Sequence, residues 1–333
     1  MKNVTIQDVA QEASVSIATV SRVLSGKGTV SSERRSRVLE AVERLGYSVD
    51  AKSSLPRKVE ARILLMIVPR ISNPFYAEIV HGFQNTAYRA GYETMLCQSM
   101  SNPRRLQEYI ELMRSGVVEG AVTLDPMNGL DVFSSLVRSF PLVQCAEYNE
   151  NLGQSYVSVD NVQAARDVVN FLHSIGCRRI ALLNSTLNYK YARDRQHGYE
   201  EALRALGLEV RPERIAHVAD VNFSLAMGAA DRLLSISPRP DAVFAVSDVY
   251  AAAVERSAKR AGVRVPEDLA VVGFDNIDVS QMCDPSITTV NQPRYEIGAF
   301  ACSMLLERIR DPQTPPRHLI LSTELIVRES TQR

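Results

Sequence analysis

The chain has 333 residues with no net formal charge, and 45% of them are hydrophobic and 23% charged. This composition is typical of a globular protein and excludes disordered, collagen-like and low-complexity classes. The longest unbroken apolar stretch, Ile63 to Pro69, is far shorter than the roughly 20 residues that a membrane-spanning helix needs. At this length we expect two or three domains.

The cysteines and the N-terminus indicate the compartment. The five Cys are scattered and odd in number, which is typical of small buried side chains in a reducing environment and not of a disulfide framework. The N-terminus has no hydrophobic segment of the kind found in signal peptides. We therefore expect a soluble cytoplasmic protein.

The charges are unevenly distributed. Residues 1–58 carry ten Lys or Arg against six Asp or Glu, so the remainder is mildly acidic. A basic head on an acidic body indicates that the head alone meets a polyanion.

The first 46 residues predict three short helices. Thr5 can cap a helix from Ile6 to Ala13, Ser16 a second from Ile17 to Leu24, and a third runs from Ser31 to about Leu45. Two helices joined by a turn as short as Ser14-Val15 must cross steeply, which is the helix-turn-helix geometry. The polar stretch from Tyr47 to Ala61 predicts a linker or a marginal short helix.

From Arg62 onward, strand patterns alternate with helix patterns. Predicted strands are 63–68, 94–97, 119–124, 142–145, 157–159, 179–183, 214–217, 242–246 and 270–274, and predicted helices lie near 75–90, 104–115, 130–138, 161–175, 192–206, 224–235 and 248–261. Such alternation predicts parallel sheets with helices on both faces. Two series of this kind indicate two α/β lobes, with ligands at the carboxyl ends of the strands.

The sequence carries no recognisable catalytic or metal-binding motif. It lacks GxGxxG, GxxxxGK[ST], HExxH, GxSxG and CxxC, and its five His are far apart. We therefore expect no enzyme activity, no metal and no cofactor.

The predicted second helix has the chemistry of a DNA-reading helix. Its N-terminus at Ser16 offers free N–H groups to a phosphate, and Ser16, Thr19 and Ser21 are short hydroxyl donors. Arg22 can bind guanine O6 and N7, and Ile17 and Ala18 can contact thymine methyl groups. An amphipathic helix in a small bundle is the alternative, but a small, hydroxyl-rich face is poor for packing.

Residues 4–47 resemble the head of the LacI/GalR family of bacterial repressors, through Asp8-Val9-Ala10 and the run Val15 to Leu24 (VSIATVSRVL). Further matches follow in order along the chain: Asn73-Pro74-Phe75-Tyr76, Val157 to Asn161 (VSVDN), Val246-Ser247-Asp248, Val272 to Asn276 (VGFDN), Ile287 to Val290 (ITTV) and Gln292-Pro293. Within the family, the run Gly273 to Gly298 most resembles members that respond to nucleosides such as cytidine.

The resemblance implies an organisation for the whole chain. Residues 1–46 form the helix-turn-helix head, 47–61 the hinge and 62–333 a two-lobed core like that of periplasmic sugar-binding proteins. The first lobe takes about 62–160 and 292–322, and the second about 161–291 and 323–333. The implied protein is a homodimer on a near-palindromic double-stranded DNA operator, with no membrane partner.

The hinge departs from the family pattern. The apolar residue that enters the minor groove is usually a Leu, and here Pro56 takes that position with Leu55 one place earlier. Proline opposes an ordinary helix, and either side chain can serve as the wedge. We expect a poorly ordered hinge that tolerates variable half-site spacing, which footprinting on operators lengthened by one base pair would test.

The resemblance also implies the binding residues. DNA contacts fall to Thr5, Ser16, Ile17, Ala18, Thr19, Ser21, Arg22, Val30, Ser31, Leu55 and Pro56. Effector contacts fall to Phe75, Tyr76, Asp125, Glu147, Asp160, Arg193, Phe223, Ser247, Asp275 and Gln292. Of two nearby arginines, the family pattern puts Arg193 on the ligand and Arg195 in structural ion pairs. Asp160 is equally consistent with a helix N-cap.

An Arg donor opposite an Asp acceptor suits adjacent sugar hydroxyls, and aromatic rings suit a planar base or an apolar sugar face. The sequence thus favours a repressor controlled by a nucleoside, with a pentose or hexose as the alternative effector. A sugar-binding transport protein or an enzyme on the same fold competes, but the DNA-reading head argues against both.

Overall fold

The computed structural model describes residues 5–25, 30–45, 62–125 and 140–332, and it divides the chain into two compact units, Met1–Ala61 and Arg62–Arg333. The predicted linker over 47–61 and the predicted helix near 130–138 lie outside the described residues. We describe the helical head and the α/β core separately.

The head packs three helices around a small apolar core. They are α1 (Ile6–Glu12), α2 (Ile17–Ser25) and α3 (Ser32–Leu45), each within one residue of the predicted bounds. Thr5 and Asp8 form a capping box at α1, in which each backbone N–H donates to the other side chain. The buried residues of this core in the described ranges are Val9, Ala10, Ala13, Val20, Val23, Val38 and Ala41.

The first sheet of the core is parallel throughout. Its strands are β1 (Ile63–Val68), β2 (Glu93–Gln98), β3 (Gly120–Thr123), β4 (Leu142–Cys145), β5 (Ser155–Val159) and β11 (His318–Leu321), in the order β11-β5-β4-β3-β1-β2. We call the part built on it the first lobe.

The second sheet is parallel except at one edge. Its strands are β6 (Ile180–Ser185), β7 (Ile215–Val218), β8 (Ala242–Ala245), β9 (Ala270–Asp275), β10 (Thr288–Asn291) and β12 (Glu324–Ile326), in the order β12-β10-β9-β8-β6-β7. Only the pair of β10 and β12 among these strands is antiparallel. We call the part built on it the second lobe.

Helices cover the sheets of both lobes. They are α4 (Phe75–Arg89), α5 (Pro103–Arg114), α6 (Asn161–Ser174), α7 (Lys190–Ala205), α8 (Phe223–Leu234), α9 (Asp248–Arg260), α10 (Val279–Met282) and α11 (Arg294–Arg310). In β1, Leu64 and Met66 pack with α4 and α11, while Leu65 and Ile67 pack with α5 on the other face. Burial on both faces explains why the strand is a continuous apolar run. The predicted α/β fold class with a helix-turn-helix head is confirmed.

Helices α4 and α11 approach closely through glycine. A Cβ on Gly82 would lie 2.0 Å from the Tyr295 carbonyl oxygen, and one on Gly298 would lie 2.0 Å from that of Ile79. Larger residues at these two positions would therefore force the helices apart.

The chain passes between the two lobes three times, at Asp160, at residues 292–293 and at residues 322–323. Loops that follow the strands of both lobes thereby face a common cleft. Within the described ranges, no helix is long and apolar enough to span a membrane.

Candidate functional site

The outward face of α2 carries most of the side chains predicted to meet DNA. Ser16, Ala18, Ser21 and Arg22 are exposed, and Ile17 is 45% exposed although it is large and apolar. Val20 and Val23, on the opposite face, are buried in the head. The helix therefore presents hydroxyls, a guanidinium and small apolar groups to solvent together.

The N-terminus of α2 is capped by a predicted DNA contact. The Thr19 backbone N–H donates to Ser16 Oγ over 3.2 Å, and the hydroxyls of Ser16 and Thr19 are 2.9 Å apart. The cap fixes the first turn of the helix, where N–H groups favour an anion.

The remaining predicted DNA contacts have different surroundings. Thr5 is exposed but engaged with Asp8, Val30 packs partly against the head core, and Ser31 is exposed just before α3. Leu55 and Pro56 lie outside the described residues.

A cleft lies between the two lobes of the core. Its aromatic lining consists of Phe75 and Tyr76 from the first lobe and Tyr189, Tyr191 and Tyr250 from the second. Its polar lining consists of Asn73, Glu147, Asn161, Arg195, Ser247, Asp275 and Gln292. A cleft with aromatic walls and several convergent polar groups is typical of a small-molecule site.

Arg195 is the buried cation of the cleft and is 4% exposed. Its Nε donates to Asn161 Oδ1 over 2.9 Å and its Nη1 to the Val246 carbonyl over 2.7 Å. The guanidinium carbon lies 3.4 Å from the centroid of the Phe274 ring. These contacts hold the guanidinium plane rigidly, and burial lowers the pKa of Arg195.

Asp275 supplies an acceptor in the same cleft and is 6% exposed. Gln292 Nε2 donates to its Oδ1 over 2.8 Å. Burial raises the pKa of Asp275 to about 6, and the charges of Arg195 and Arg294 partly oppose that rise. Its φ of +109° is a backbone conformation that costs energy and is found at functional sites.

Ser247, beside Asp275, offers a hydroxyl to a ligand. Its Oγ is close enough to influence the Asp275 pKa but is buried without a hydrogen bond of normal geometry among the described residues. An unsatisfied buried hydroxyl is costly, so a ligand hydroxyl placed here would gain a partner.

Glu147 joins the two lobes. It follows β4 of the first lobe, and its carboxylate accepts backbone N–H groups of Lys190 and Tyr191 at the start of α7 in the second lobe. Tyr189, the N-cap of α7, provides no side-chain cap, so Glu147 takes that role from the opposite lobe. Burial raises the pKa of Glu147 to about 7, although both hydrogen bonds oppose the rise.

Other polar contacts also cross between the lobes. Arg70 Nε is 2.7 Å from Asp220 Oδ2, and the hydroxyls of Ser101 and Tyr189 are 3.1 Å apart. Lys190 Nζ lies 5.0 Å from the centroid of the Tyr148 ring. Several polar contacts therefore connect the two lobes.

Six of the ten predicted effector residues line this cleft. Phe75, Tyr76, Glu147, Ser247, Asp275 and Gln292 line the cleft, and Asp125 lines a chamber next to it. Asn73, Asn161, Tyr189, Tyr191, Arg195 and Tyr250 also line it and were not predicted as effector contacts.

Asp160 and Phe223, which were also predicted as effector contacts, are not among the residues that line the cleft. Asp160 Oδ1 accepts the Gln163 N–H over 2.9 Å and caps α6, which is the alternative that the sequence left open. Phe223 is the first residue of α8, is substantially exposed and is not among the cleft residues.

The structure places Arg195, and not Arg193, among the residues that line the cleft. Arg193 Nη1 donates to the carbonyls of Leu187 and Asn188, over 2.7 and 3.1 Å, whereas Arg195 lies in the cleft. Residues two apart on a helix point to different sides, so only one of them can face the cleft. The signal was available, because Arg195 lies three residues from both Ala192 and Gly198 on the buried stripe of α7.

Comparison with known proteins agrees with this architecture. Residues 5–50 match the family of bacterial regulatory proteins called the lacI family, and residues 169–331 match the periplasmic binding protein-like domain. The HTH-type transcriptional repressor CytR of Escherichia coli (strain K12) is 36% identical over 329 residues, covering 98% of this chain and 96% of that protein.

Two other proteins are similar over nearly the full length. The ribose operon repressor of Halalkalibacterium halodurans is 34% identical over 98% of this chain and 97% of that protein. The structure of a complex of the transcriptional regulator CelR with cellobiose superposes with a TM-score of 0.73 at 32% identity, covering 98% of this chain and 99% of that one.

Proposed function

We propose that this chain, which belongs to the lacI family of bacterial regulatory proteins, is a transcriptional repressor that binds operator DNA through its head and is controlled by a nucleoside in the cleft of its core. The chain is a regulator and not an enzyme. Operator DNA in bacteria is cytoplasmic, and we place its action there.

The head reads DNA through α2. A homodimer puts two copies of α2 into successive major grooves, about 10 bp apart on a near-palindromic operator. Arg22 then binds a guanine edge, Ile17 and Ala18 contact thymine methyl groups, and Ser16 and Ser21 bind phosphates. The exposure of these side chains supports the proposal, because each is available without a rearrangement of the head.

Arg195 and Asp275 carry the effector assignment. A buried guanidinium and a buried carboxylate in one cleft can bind adjacent hydroxyls, as donor and acceptor respectively. The surrounding tyrosine rings suit a planar base next to a ribose. Against one positive charge on Arg195, the lining contains the carboxyls of Glu147 and Asp275, so a neutral nucleoside is favoured over a nucleotide.

A sugar is the second candidate effector. The similarity to a ribose operon repressor and to a regulator solved with cellobiose favours it, and the Arg195–Asp275 pair serves pentose or hexose hydroxyls equally well. The two candidates differ in how they use the aromatic walls of the cleft, because a nucleoside base covers these rings more completely than a sugar does.

The effector controls DNA binding through the contacts between the lobes. It need bind one lobe arrangement better than the other by only about 1–3 kcal/mol to couple the cleft to the operator. The Glu147 contact with α7 is one such contact, and residues 47–61 carry the change to the heads.

The test is calorimetric titration and thermal melting of the purified protein with cytidine, adenosine, ribose and cellobiose. A ligand at 100 times its dissociation constant stabilises the protein by about 2.7 kcal/mol, which raises the melting temperature measurably. We expect a shift with a nucleoside and a smaller or absent shift with the sugars. A shift with ribose or cellobiose alone would replace the nucleoside by a sugar.

Two carboxyl variants test the site. Asp275→Asn should abolish the ligand-induced shift, while Asp160→Asn should preserve it because Asn caps a helix as well as Asp. DNA binding is followed by anisotropy on an operator selected from randomised duplexes. The logarithm of the DNA-binding constant should fall linearly with the logarithm of the salt concentration. If no operator can be selected and DNA binding shows no such salt dependence, the repressor assignment is contradicted.

A further inference from the structure

The turn that carries the Asp275 carboxylate is strained. Asp275 is the last residue of β9 and has a φ of +109°, and Asn276 follows with a φ of +52°. Residues other than glycine rarely adopt such a conformation, so the turn persists only because surrounding contacts hold it. The orientation of the carboxylate in the cleft therefore depends on the groups that contact residues 275–277.

Several of these contacts come from the second lobe itself. The Ile277 backbone N–H donates to Asp248 Oδ2 over 2.8 Å, and Arg328 Nη2 donates to Asn276 Oδ1 over 2.7 Å. The Asn276 side chain also donates to Asn291 Oδ1 over 3.0 Å. Because these partners belong to the same lobe as the turn, a movement of one lobe against the other would leave the bonds in place.

Further contacts come from the segment in which the chain passes into the first lobe. Gln292 Nε2 donates to the Asp275 carboxylate over 2.8 Å, and Arg294 Nη2 donates to the Asn276 carbonyl over 2.9 Å. Arg294 is the first residue of α11, a helix that packs into the core of the first lobe. A side chain of the first lobe thus holds the peptide next to a cleft carboxylate of the second.

The charge of Arg294 also acts on Asp275. Burial raises the pKa of Asp275, while the charge of Arg195 and, after it, that of Arg294 lower it. Burial and the Asp275 charge raise the pKa of the neighbouring Asp248 to about 8. The two carboxyls are also faced by Arg328, Ser247 and Gln292. Arg294 is not among the residues that line the cleft, so any effect that it has on a ligand passes through Asp275.

We propose that Arg294 is a positioning residue for the effector, which holds the Asp275 carboxylate in its ligand-binding orientation from the opposite lobe. This inference rests on the proposed function in that a small molecule binds at Asp275, and it applies to a nucleoside and a sugar alike. A ligand bound to Asp275 and the bond from Arg294 to the adjacent peptide then stabilise each other. A lobe arrangement in which α11 withdraws from the turn binds the effector less tightly.

The first experiment uses the ligand-free full-length protein and needs no identified effector. Arg294→Met removes the guanidinium. Arg308→Met is the matched control, because Arg308 lies on the same helix and also donates to a backbone carbonyl, that of Thr314 in the first lobe. The melting temperature of each variant is compared with that of the parent protein at pH 5 and at pH 8.

The two pH values separate a charge effect from a structural one. At pH 5 Asp275 is largely protonated, because its pKa is about 6, so Arg294→Met loses only a hydrogen bond to a carbonyl. At pH 8 the same variant also leaves an ionised buried carboxyl without one of its cations. We expect its loss of melting temperature to be about 2–4 °C larger at pH 8 than at pH 5, and the loss in Arg308→Met to be equal at both.

An Asp275→Asn background assigns the effect to the pair. The extra loss at pH 8 should disappear there, since Asp248 is still present but Asp275 no longer carries a charge. A loss in Arg294→Met of equal size at both pH values, or an extra loss that persists in Asp275→Asn, would overturn the proposal.

The second experiment is calorimetric titration of the same proteins with cytidine, adenosine, ribose and cellobiose at pH 7. A ligand that binds the parent protein should bind Arg294→Met at least about fivefold more weakly, with Arg308→Met unchanged and Arg294→Lys intermediate because lysine keeps the charge. Equal affinity in Arg294→Met and the parent protein would contradict a positioning role. If the parent protein binds none of these ligands, the proposed function fails, whereas the melting experiment still tests the hold of Arg294 on Asp275.

Discussion

The head and the core place their functional side chains in opposite environments. In the head, Ser16 and Arg22 are exposed on a helix whose other face is buried. In the core, Arg195 and Asp275 are more than nine-tenths buried. A surface that meets a polyanion needs accessible donors, whereas a charged group binds a small neutral ligand more strongly when that group is removed from water.

The two regions also differ in how their folds are stabilised. Among the described residues, the buried side chains of the head are Val or Ala, whereas the core buries large side chains such as Phe83, Phe244, Phe274 and Tyr199. A domain as small as the head is only marginally stable, so one core substitution should unfold it. The core should tolerate the loss of a cleft residue.

The largest expected effect comes from a charge placed in the head core. Val38→Asp puts a carboxylate at a fully buried position, which costs more than about 4 kcal/mol and should unfold the head. Operator binding should be lost, while the ligand-induced thermal shift of the core persists. Anisotropy on operator DNA and thermal melts with the effector measure the two responses.

Leu39→Asp is the matched control, because Leu39 is the next residue and is 50% exposed. It should change the free energy of unfolding by no more than about 0.5 kcal/mol, as surface substitutions usually do. Operator affinity should therefore change only slightly. If Val38→Asp also removed effector binding, head and core would not be independent.

The next effect is in the core. Arg195→Met keeps an extended side chain but removes the guanidinium, and effector affinity should fall by about 1.5–3 kcal/mol, the value of a charged hydrogen bond. Arg193→Met is the control, since Arg193 bonds the carbonyls of the 187–188 loop. Equal losses in calorimetric titration for both variants would contradict the assignment of Arg195 to the ligand.

A smaller effect is expected on the exposed face of α2. Arg22→Ala should cost about 1–3 kcal/mol on the selected operator and relax the preference at one base pair. Arg44→Ala, on α3 in an exposed ion pair with Glu12, should leave that base preference intact. Competition anisotropy with single-base operator variants distinguishes a base contact from a phosphate contact, which would weaken all sequences alike.

The last effect is on the pH dependence of stability and belongs to the core. Burial raises the pKa of Asp275 to about 6, of Glu147 to about 7, and of Asp248 and Glu255 to about 8. The folded state therefore keeps protons that the unfolded state releases near pH 4, so the free energy of unfolding falls as pH rises from about 4 to 8. Burial lowers the pKa of His217, which by itself makes the free energy of unfolding rise with pH. This one group offsets only part of the decline caused by the four carboxyls.

Thermal melts of the ligand-free protein between pH 5 and 8 at constant ionic strength measure this decline. Glu255→Gln removes one buried carboxyl and should flatten the curve, most clearly between pH 6 and 8. A melting temperature that rises steadily from pH 5 to 8 would contradict the raised pKa values.

The contrast between the regions also explains what could be predicted from the sequence. The head follows from local signals, since the caps at Thr5 and Ser16 and the spacing of Val9, Val20 and Val23 fix its helices to within one residue. The α/β alternation is equally local. The cleft is not, because its residues come from loops separated by up to about two hundred positions along the chain.

Two features that were not predicted from the sequence show why, in physical terms. Arg193 and Arg195 differ only in helix phase, and a motif match ignores phase. Strands β11 and β12 have only four and three residues, their partners lie far away in sequence, and His318 pairs with Tyr156. No periodicity in so short a segment distinguishes a strand from a loop.

The three passages of the chain between the lobes have a consequence for synthesis on the ribosome. The first sheet gains β11 only when residues 318–321 are made, and the second gains β12 with residues 324–326. The head, in contrast, has its complete core once residue 45 has emerged. During synthesis, the nascent repressor therefore completes its DNA-reading head long before either lobe of the core has all its strands. Control by the effector is the last property that the chain acquires.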